Sequence, residues 1–327
     1  MNPIKIGIAG LGNVGEEVAY QLIKGFRVQN DQFKIELHGV SAKSKDKKRK
    51  IDTGIIPFFD DPVSMSNSPN IDVIVELIGG DEGVAKDLCF SALNNKKGLI
   101  TANKALIAKY GKELAEIAED NNLFFSFEAS VAGGIPIIKA IRESFSGNKI
   151  ENVEGILNGT CNYILSEISD RGCDYDEVLA VAQDLGYAET DPYFDVEGID
   201  AAHKLTILAS IAYGTHLNFE SIHVEGISNI THADISYARE LGYRVKHLGI
   251  ARRQNDALDL RVHPCLLASD QILANVCGVM NAVKVNGDAV GETLFYGAGA
   301  GAGPTASAVV ADLVDVVGLD HADGLLR

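Results

Sequence analysis

The sequence has no run of 18 apolar residues; its longest apolar stretches, at residues 71–80 and 309–318, are broken by acids. A membrane span is excluded. The chain enters an apolar run by Ile4 with no basic leader and no cleavage signal, so a cytoplasmic protein is expected. Positive charge is scarce. Against 45 Asp and Glu there are 29 Lys and Arg, for a formal net charge of -16 and a pI near 4.9. Such a field repels a phosphate backbone, so no nucleic-acid partner is expected. Cysteine is also scarce. Cys89, Cys161, Cys173, Cys265 and Cys277 are odd in number and none forms a CxxC pair. That speaks against a zinc site or a disulfide framework and makes them small buried hydrophobes. His216 and His223 are seven apart with no third ligand at a metal spacing, and read as structural.

What is present fits a globular chain. Hydrophobic residues make up 46% and charged residues 23% of 327 positions, a length that suits two domains. Residues 1–130 hold 16 basic and 18 acidic side chains, whereas residues 131–327 hold 13 and 27. The first part suits an anionic ligand, the second a substrate carrying an ammonium group. This asymmetry supports a boundary near residue 130.

In the first part, short apolar runs at 4–9, 33–40, 71–78, 99–101 and 123–127 read as strands. Val14, Val18 and Leu22 recur at helical spacing from about 13 to 24, with Gly25 as a stop. Leu106, Tyr110, Leu114 and Ile117 make another helical stripe. Strands alternating with helices predict a Rossmann-type, doubly wound parallel sheet in an α/β protein. The second part has helical patterns at 178–185 and 201–213, and paired strands at 246–251 and 258–266. Val285-Asn286-Gly287 reads as a hairpin signal within 283–290. A second, mixed α/β domain is expected. A glycine-rich run then leads into Pro304, suited to a first helical position, and an apolar helix to about 317.

Gly10-Leu11-Gly12-Asn13-Val14-Gly15 is a GxGxxG between a strand and a helix. In that setting the three glycines serve, in turn, the tight turn, the close approach of a pyrophosphate, and helix–strand packing. The helix start offers N–H groups and a positive dipole end to the phosphates. After the second strand come Ser41-Ala42-Lys43-Ser44-Lys45, with no acid before Asp46. A basic, hydroxyl-bearing segment with Lys43 suits a 2′-phosphate, which favours NADP over NAD. The same run also reads as a solvated charged loop.

Residues 186–204 carry five carboxylates, Glu189, Asp191, Asp195, Glu197 and Asp200, ahead of Lys204 on an apolar helix. Asp200 and Lys204 are four apart and share a helix face. Asp200 also reads as the cap of that helix. Taken alone the two make a surface pair. Beside Leu205, Ile207 and Leu208 the lysine is partly buried, where desolvation and carboxylates pull its proton affinity in opposite directions. A lysine balanced between them exchanges protons near neutral pH. Thr101-Ala102-Asn103-Lys104 stands at a strand's carboxyl end, where such sheets bind ligands. Lys104 there reads either as a surface lysine at a helix start or as a group reaching the nicotinamide.

Together with Glu76-Leu77-Ile78-Gly79-Gly80, Glu128-Ala129-Ser130-Val131-Ala132-Gly133-Gly134-Ile135-Pro136, Leu157-Asn158-Gly159-Thr160-Cys161-Asn162 and Gly301-Ala302-Gly303-Pro304-Thr305, these blocks resemble homoserine dehydrogenase, in the family's order and across nearly the whole chain. The resemblance implies NAD(P)-dependent interconversion of L-homoserine and L-aspartate 4-semialdehyde, a step toward threonine and methionine. It implies Lys204 as proton donor with Asp200 beside it, and Lys104 as a second active-site lysine. Glu189 matches the glutamate that holds the substrate amino group, and Thr160, Tyr187 and Asp195 match pocket positions. Gly79, Gly80 and Gly303 match cofactor contacts, so the last helix, within 301–327, returns to the nucleotide domain of residues 1–130. Residues 131–300 then bind substrate and dimerise, which implies a homodimer. Glu128 with Val131, Gly133 and Ile135 matches a sodium site, the latter three through carbonyls. Many bacterial relatives carry a C-terminal ACT domain that binds regulatory amino acids. The chain stops at Arg327, so threonine inhibition through such a domain is not expected. Cys161 stands where the family often has threonine. The two lysines are expected to converge on the aldehyde.

Two rivals keep the glycine turn. A dinucleotide-sensing module needs neither lysine nor the carboxylates. A reductase of another semialdehyde or imine should lack the 186–204 block.

Overall fold

The computed structural model describes residues 3–24, 35–215, 219–255 and 257–318. The expected stop at Gly25, the expected strand start at Phe33 and His216 lie outside the described residues. The described residues up to Gly134, with those from Gly301 on, form one compact unit; Ile135–Ala300 form another.

The first unit begins with β1 (Ile4–Ala9), α1 (Asn13–Ile23) and β2 (Ile35–Ser41). β3 (Val73–Glu76), α2 (Val84–Asn94), β4 (Gly98–Thr101), α3 (Lys104–Asp120) and β5 (Phe125–Ser126) follow. The strands form one parallel sheet in the order β2-β1-β3-β4-β5. Every residue of β3 and β4 is buried. That is why both read as unbroken apolar runs rather than alternating ones. β3 is shorter than the run at 71–78, because its register with β1 and β4 ends at Glu76. The sequence pattern passed over α2. Its buried stripe, Ala85, Leu88, Cys89, Ala92 and Leu93, is sound, but the helix opens at Gly83 with no side-chain cap to mark its start.

The second unit opens with α4 (Ile137–Lys139), continued by a π turn over Ala140–Ser144, then β6 (Ile150–Ile156). α5 (Gly159–Arg171), α6 (Tyr175–Asp184), α7 (Tyr193–Val196) and α8 (Ile199–Tyr213) come next. β7 (His223–Val224), α9 (His232–Glu240), β8 (Tyr243–Gln254), β9 (Ala257–Ala268), β10 (Met280–Gly287) and β11 (Gly291–Ala298) complete it. Its sheet runs β11-β10-β6-β8-β9-β7, antiparallel except for β7 against β9. From Ala201 to Ala209 all but His203 are buried, so α8 is apolar nearly all round, as a core helix is.

The last helix, α10 (Ala302–Gly318), belongs to the first unit. Ala306, Val309, Val310 and Leu313 share one core with Ile8, Val18 and Ala19. Each large side chain buried there stabilises by about 1.5–3 kcal/mol. Pro304 occupies the third position of the helix, not the first.

Three further expectations are corrected. The hairpin does not turn on Asn286-Gly287. Both residues still pair, with Glu292 and Gly291, and the loop is residues 288–290. Asn148 Oδ1 accepts the Val290 N–H at 3.0 Å and Asp288 Oδ1 accepts the Lys149 N–H at 2.9 Å, which carries the turn past the Asn-Gly pair. Asp200 is not the cap of α8. The helix starts after Gly198 with no side-chain cap, and Asp200 is its second residue. Of the cysteines, Cys89 and Cys161 are buried, Cys173 and Cys265 half-buried, and Cys277 exposed.

Candidate active site

In the first unit the turn from β1 to α1 is built around missing side chains. Gly10 has φ +101°, and a Cβ on it would stand 2.4 Å from the Leu77 carbonyl oxygen. A Cβ on Gly15 would stand 1.8 Å from the Gly10 carbonyl oxygen, so only glycine lets α1 start against the turn. At Gly12 a Cβ would meet no atom within 4 Å. Space is therefore open over Gly12, and no side chain caps the start of α1. Leu11 is buried beneath the turn, Val14 is half-buried and Asn13 is exposed. The turn opens into a cleft of about 540 Å³ lined by Gly10, Leu11, Gly12, Lys43, Leu77 and Ile78, among others. These residues fit a pyrophosphate: open N–H groups at a helix start, a glycine that permits approach, and a volume in the range of ligand sites.

Past β2 the cleft wall is basic. Ala42, Lys43, Ser44, Lys47 and Arg49 line it, against one acid, Asp60. Arg49 folds this loop by donating to the carbonyls of Ser44 at 2.6 Å, Lys47 at 3.0 Å and Lys45 at 3.1 Å. The Lys50 N–H donates to the Glu16 carboxylate, and Lys50 Nζ pairs with Glu17 at 3.3 Å, tying the loop to α1. Lys43 is exposed.

At the carboxyl ends of β3 and β4 lies a network that spacing along the sequence does not reveal. Glu76, fully buried, accepts the N–H of Ile78 at 2.7 Å and of Gly79 at 3.0 Å, and the Thr101 hydroxyl at 2.6 Å. Thr101 Oγ1 accepts the Asn103 N–H at 3.0 Å, and Asn103 Nδ2 donates to the Gly80 carbonyl at 2.6 Å. Asn103 also caps α3 by accepting the Leu106 N–H, which sets Lys104 as the first residue of that helix. Gly79 and Gly80 are exposed, with φ +86° and +82°. Gly303 is exposed near the start of α10. A signal for this network does stand in the sequence: one apolar strand ends in a carboxylate, and its neighbour ends in a hydroxyl.

In the second unit the acidic segment folds onto the start of α5. Lys204 Nζ donates to Asp200 Oδ2 at 2.7 Å and to the Leu157 carbonyl at 2.8 Å. Only 9% of Lys204 and 3% of Asp200 is exposed, so this is no surface pair. Asn158, which the sequence did not mark as a site residue, is the hub. Its Nδ2 donates to Asp195 Oδ1 and to Asp200 Oδ2, both at 2.8 Å, and its Oδ1 caps α5 through the Cys161 N–H. Thr160 Oγ1 donates to the Tyr187 carbonyl at 2.7 Å and reaches Asp195 Oδ2 at 3.5 Å. The Tyr187 ring packs edge-on against Tyr163, 5.1 Å between centroids. Thr160, Tyr187, Asp195, Asp200 and Lys204 are thus brought together within this unit. Glu189 is exposed on the loop after α6, and Gln183 Nε2 donates to its carbonyl at 3.0 Å. Cys161 Sγ donates to the Asp195 carbonyl at 3.1 Å, and burial pushes its thiol well above the usual range, with Asp195 adding to the effect. The thiol is held protonated and unreactive.

For the expected cation, Glu128 is buried and its N–H donates to Asp312 Oδ2 at 3.0 Å. Ala132 and Gly133 have φ +54° and +48°. The Ile135 carbonyl accepts the Ile137 N–H at 2.8 Å, which leaves it a second lone pair. Carboxylate and carbonyl oxygens are the kinds of donor a hard cation takes.

A glycine phosphate turn on a parallel sheet, together with a buried lysine–carboxylate pair in a second, mixed-sheet unit, marks a nicotinamide-dependent oxidoreductase. Residues 10–128 match the family model "Homoserine dehydrogenase, NAD binding domain" and residues 136–314 the model "Homoserine dehydrogenase". A homoserine dehydrogenase of Pseudomonas aeruginosa is 54% identical, over 97% of this chain and 73% of its own length. The crystal structure of a homoserine dehydrogenase from Thiobacillus denitrificans superposes with a TM-score of 0.93 at 50% identity, over 100% of this chain and 76% of that one. A hyperthermophilic archaeal homoserine dehydrogenase in complex with NADPH superposes at 0.81 with 26% identity, over 100% of both chains. The chain belongs to the homoserine dehydrogenase family.

Proposed function

We propose that Lys204 is the proton donor in the interconversion of L-homoserine and L-aspartate 4-semialdehyde. The observation that carries this reading is the buried contact of Lys204 with Asp200 and the Leu157 carbonyl. These two acceptors engage two of the three ammonium protons, which leaves the third for a substrate oxygen. The nicotinamide, when bound, supplies the hydride for the carbonyl carbon. As charge grows on the carbonyl oxygen, a fixed ammonium stabilises the transition state more than the ground state. Asp200 holds the amine in place and aims it; Asn158 holds Asp200 and Asp195 in place. Glu189, exposed beside Tyr187, takes the substrate ammonium group. Lys104, at the carboxyl end of β4, is the second lysine of the reaction.

The cofactor is NADP in preference to NAD. The support is the basic wall with Lys43 and Lys47, and the NADPH complex of the archaeal relative. Glu128, Val131, Gly133 and Ile135 hold a sodium ion, and the chain works as a homodimer in threonine and methionine biosynthesis. Homoserine-dependent reduction of each oxidised cofactor at 340 nm tests the reading. Turnover is expected with both, with the higher kcat/KM for NADP; equal values remove the preference, and no turnover removes the reaction. Lys43→Ala should lower the NADP preference. Sedimentation as a monomer at micromolar concentration counts against the dimer, and turnover indifferent to sodium counts against the cation.

A further inference from the structure

We propose that Glu76 is a positioning residue for the nicotinamide half of the cofactor, and that its charge favours the oxidised over the reduced form. This rests on the reading that the cleft takes a nicotinamide dinucleotide.

Glu76 is the last residue of β3 and is fully buried. It accepts three hydrogen bonds, from Ile78, Gly79 and Thr101, as a carboxylate does. No cation pairs with it among the described residues. A buried carboxylate without a counter-ion is expensive. Its three donors offset part of that cost, and a cationic ring arriving from outside would offset more of it.

The place of Glu76 points to that partner. In register it stands between Ala9 of β1 and Thr101 of β4, at the strand ends where the sheet order changes direction. Open α/β sheets bind their ligands in the crevice at that point. Leu77 and Ile78, directly after it, line the cleft. A Cβ on Gly79 or Gly80 would meet no atom within 4 Å, so space lies open there. Lys43 and Lys47 mark the other end of the cleft as the adenosine end. Leu77 and Ile78, with Gly79 and Gly80 directly after them, are therefore at the nicotinamide end. Through Thr101 and Asn103 the same carboxylate fixes the 101–104 segment, and Asn103 Nδ2 closes the loop onto Gly80. One side chain thus sets both residues 77–80 and the segment that carries Lys104. The oxidised nicotinamide ring is cationic and the reduced ring is neutral. A fixed anion in surroundings of low dielectric discriminates between them.

Cofactor binding to the intact protein without homoserine tests this. Dissociation constants for NADP+ and NADPH are measured by calorimetry on the parent, Glu76→Gln, Glu76→Asp and Thr101→Val, with thermal unfolding as a check of folding. Glu76→Gln is expected to raise the ratio Kd(NADP+)/Kd(NADPH) on the order of tenfold. Glu76→Asp and Thr101→Val, which keep the charge and disturb the hydrogen bonds, should weaken both cofactors and leave the ratio near the parent's. An unchanged ratio in folded Glu76→Gln overturns the charge role. If Glu76→Gln does not fold, Thr101→Val carries the test, and unchanged constants for both cofactors sink the proposal. Failure of the parent to bind either cofactor removes the cofactor reading instead, a different outcome.

Discussion

Asp200 and Lys204 stand one turn apart on α8 with Oδ2 and Nζ 2.7 Å from each other, and only 4% of the Asp200 side chain reaches solvent. Removing one partner strands the other charge in the interior. Asp200→Ala should therefore lower unfolding free energy by about 3–5 kcal/mol. Lys204→Ala should lower kcat by about 10²–10⁴, the span of one general acid–base group. Denaturant titration reads the first and the 340 nm assay the second. Near-normal turnover in Lys204→Ala rejects the proton-donor assignment.

Asn158 acts twice through one amide, because its oxygen caps α5 and its nitrogen binds both aspartates. Asn158→Ala should lose the cap, about 1 kcal/mol, and lower kcat by up to roughly 10²-fold through misplaced partners. Asn158→Asp keeps a capping oxygen but sets a third carboxylate beside two others. It should leave the cap in place and still fail to restore kcat. Recovery of kcat in Asn158→Asp refutes the orienting role of the amide.

Gly12 and Gly15 should respond differently to one methyl group. A Cβ at Gly15 collides with the Gly10 carbonyl; at Gly12 it meets no protein atom. Gly15→Ala is expected to lower the melting temperature and cofactor affinity together. Gly12→Ala should keep the parent's melting temperature and lose affinity alone, because its methyl occupies the space of the pyrophosphate. Equal affinities for parent and Gly12→Ala would place the phosphates elsewhere.

Glu189→Ala should raise KM for homoserine and leave kcat largely intact, as loss of a binding contact does. A parent-like KM contradicts its role in holding the ammonium group.

Lys246, the fourth residue of β8 and 2% exposed, donates to Asn162 Oδ1 at 3.1 Å and to the Val276 carbonyl at 2.5 Å. Burial lowers its pKa from 10.5 to about 8. The native state sheds this proton before the unfolded chain does, so stability should rise as pH climbs from about 8 toward 10.5. Below pH 8 the charged amine opposes folding by on the order of 3 kcal/mol. Lys246→Met should flatten the rise between pH 8 and 10, measured by denaturant titration against the parent. Parallel pH profiles for the two proteins refute this.

The parallel sheet was legible because its strands are buried on both faces and therefore stand out as apolar runs between helical stripes. The GxGxxG was legible because close packing and tight turning exclude every other residue type at Gly10 and Gly15. α2 was not legible, since a glycine start carries no capping signal. The hairpin loop was misplaced because contacts from residues 148 and 149, far away in the chain, outweigh the local preference of Asn286-Gly287. The lysine–aspartate pair could be placed on one helix face, but its burial could not be read from spacing four, which surface pairs share.

From residue order alone came the sheet type, the phosphate turn, the family likeness and the lysine and carboxylates of the acidic segment. These are local: periodicity, glycine conformation and i,i+4 spacing act within one element or one turn. Leu205, Ile207 and Leu208 already mark Lys204 as partly buried, but the burial of Asp200, the hub at Asn158 and the network under Glu76 appear only in the folded chain. Each depends on hydrogen bonds between residues 25 to 47 positions apart. Spacing along a strand or helix does not encode which distant oxygen a buried donor will meet; packing does.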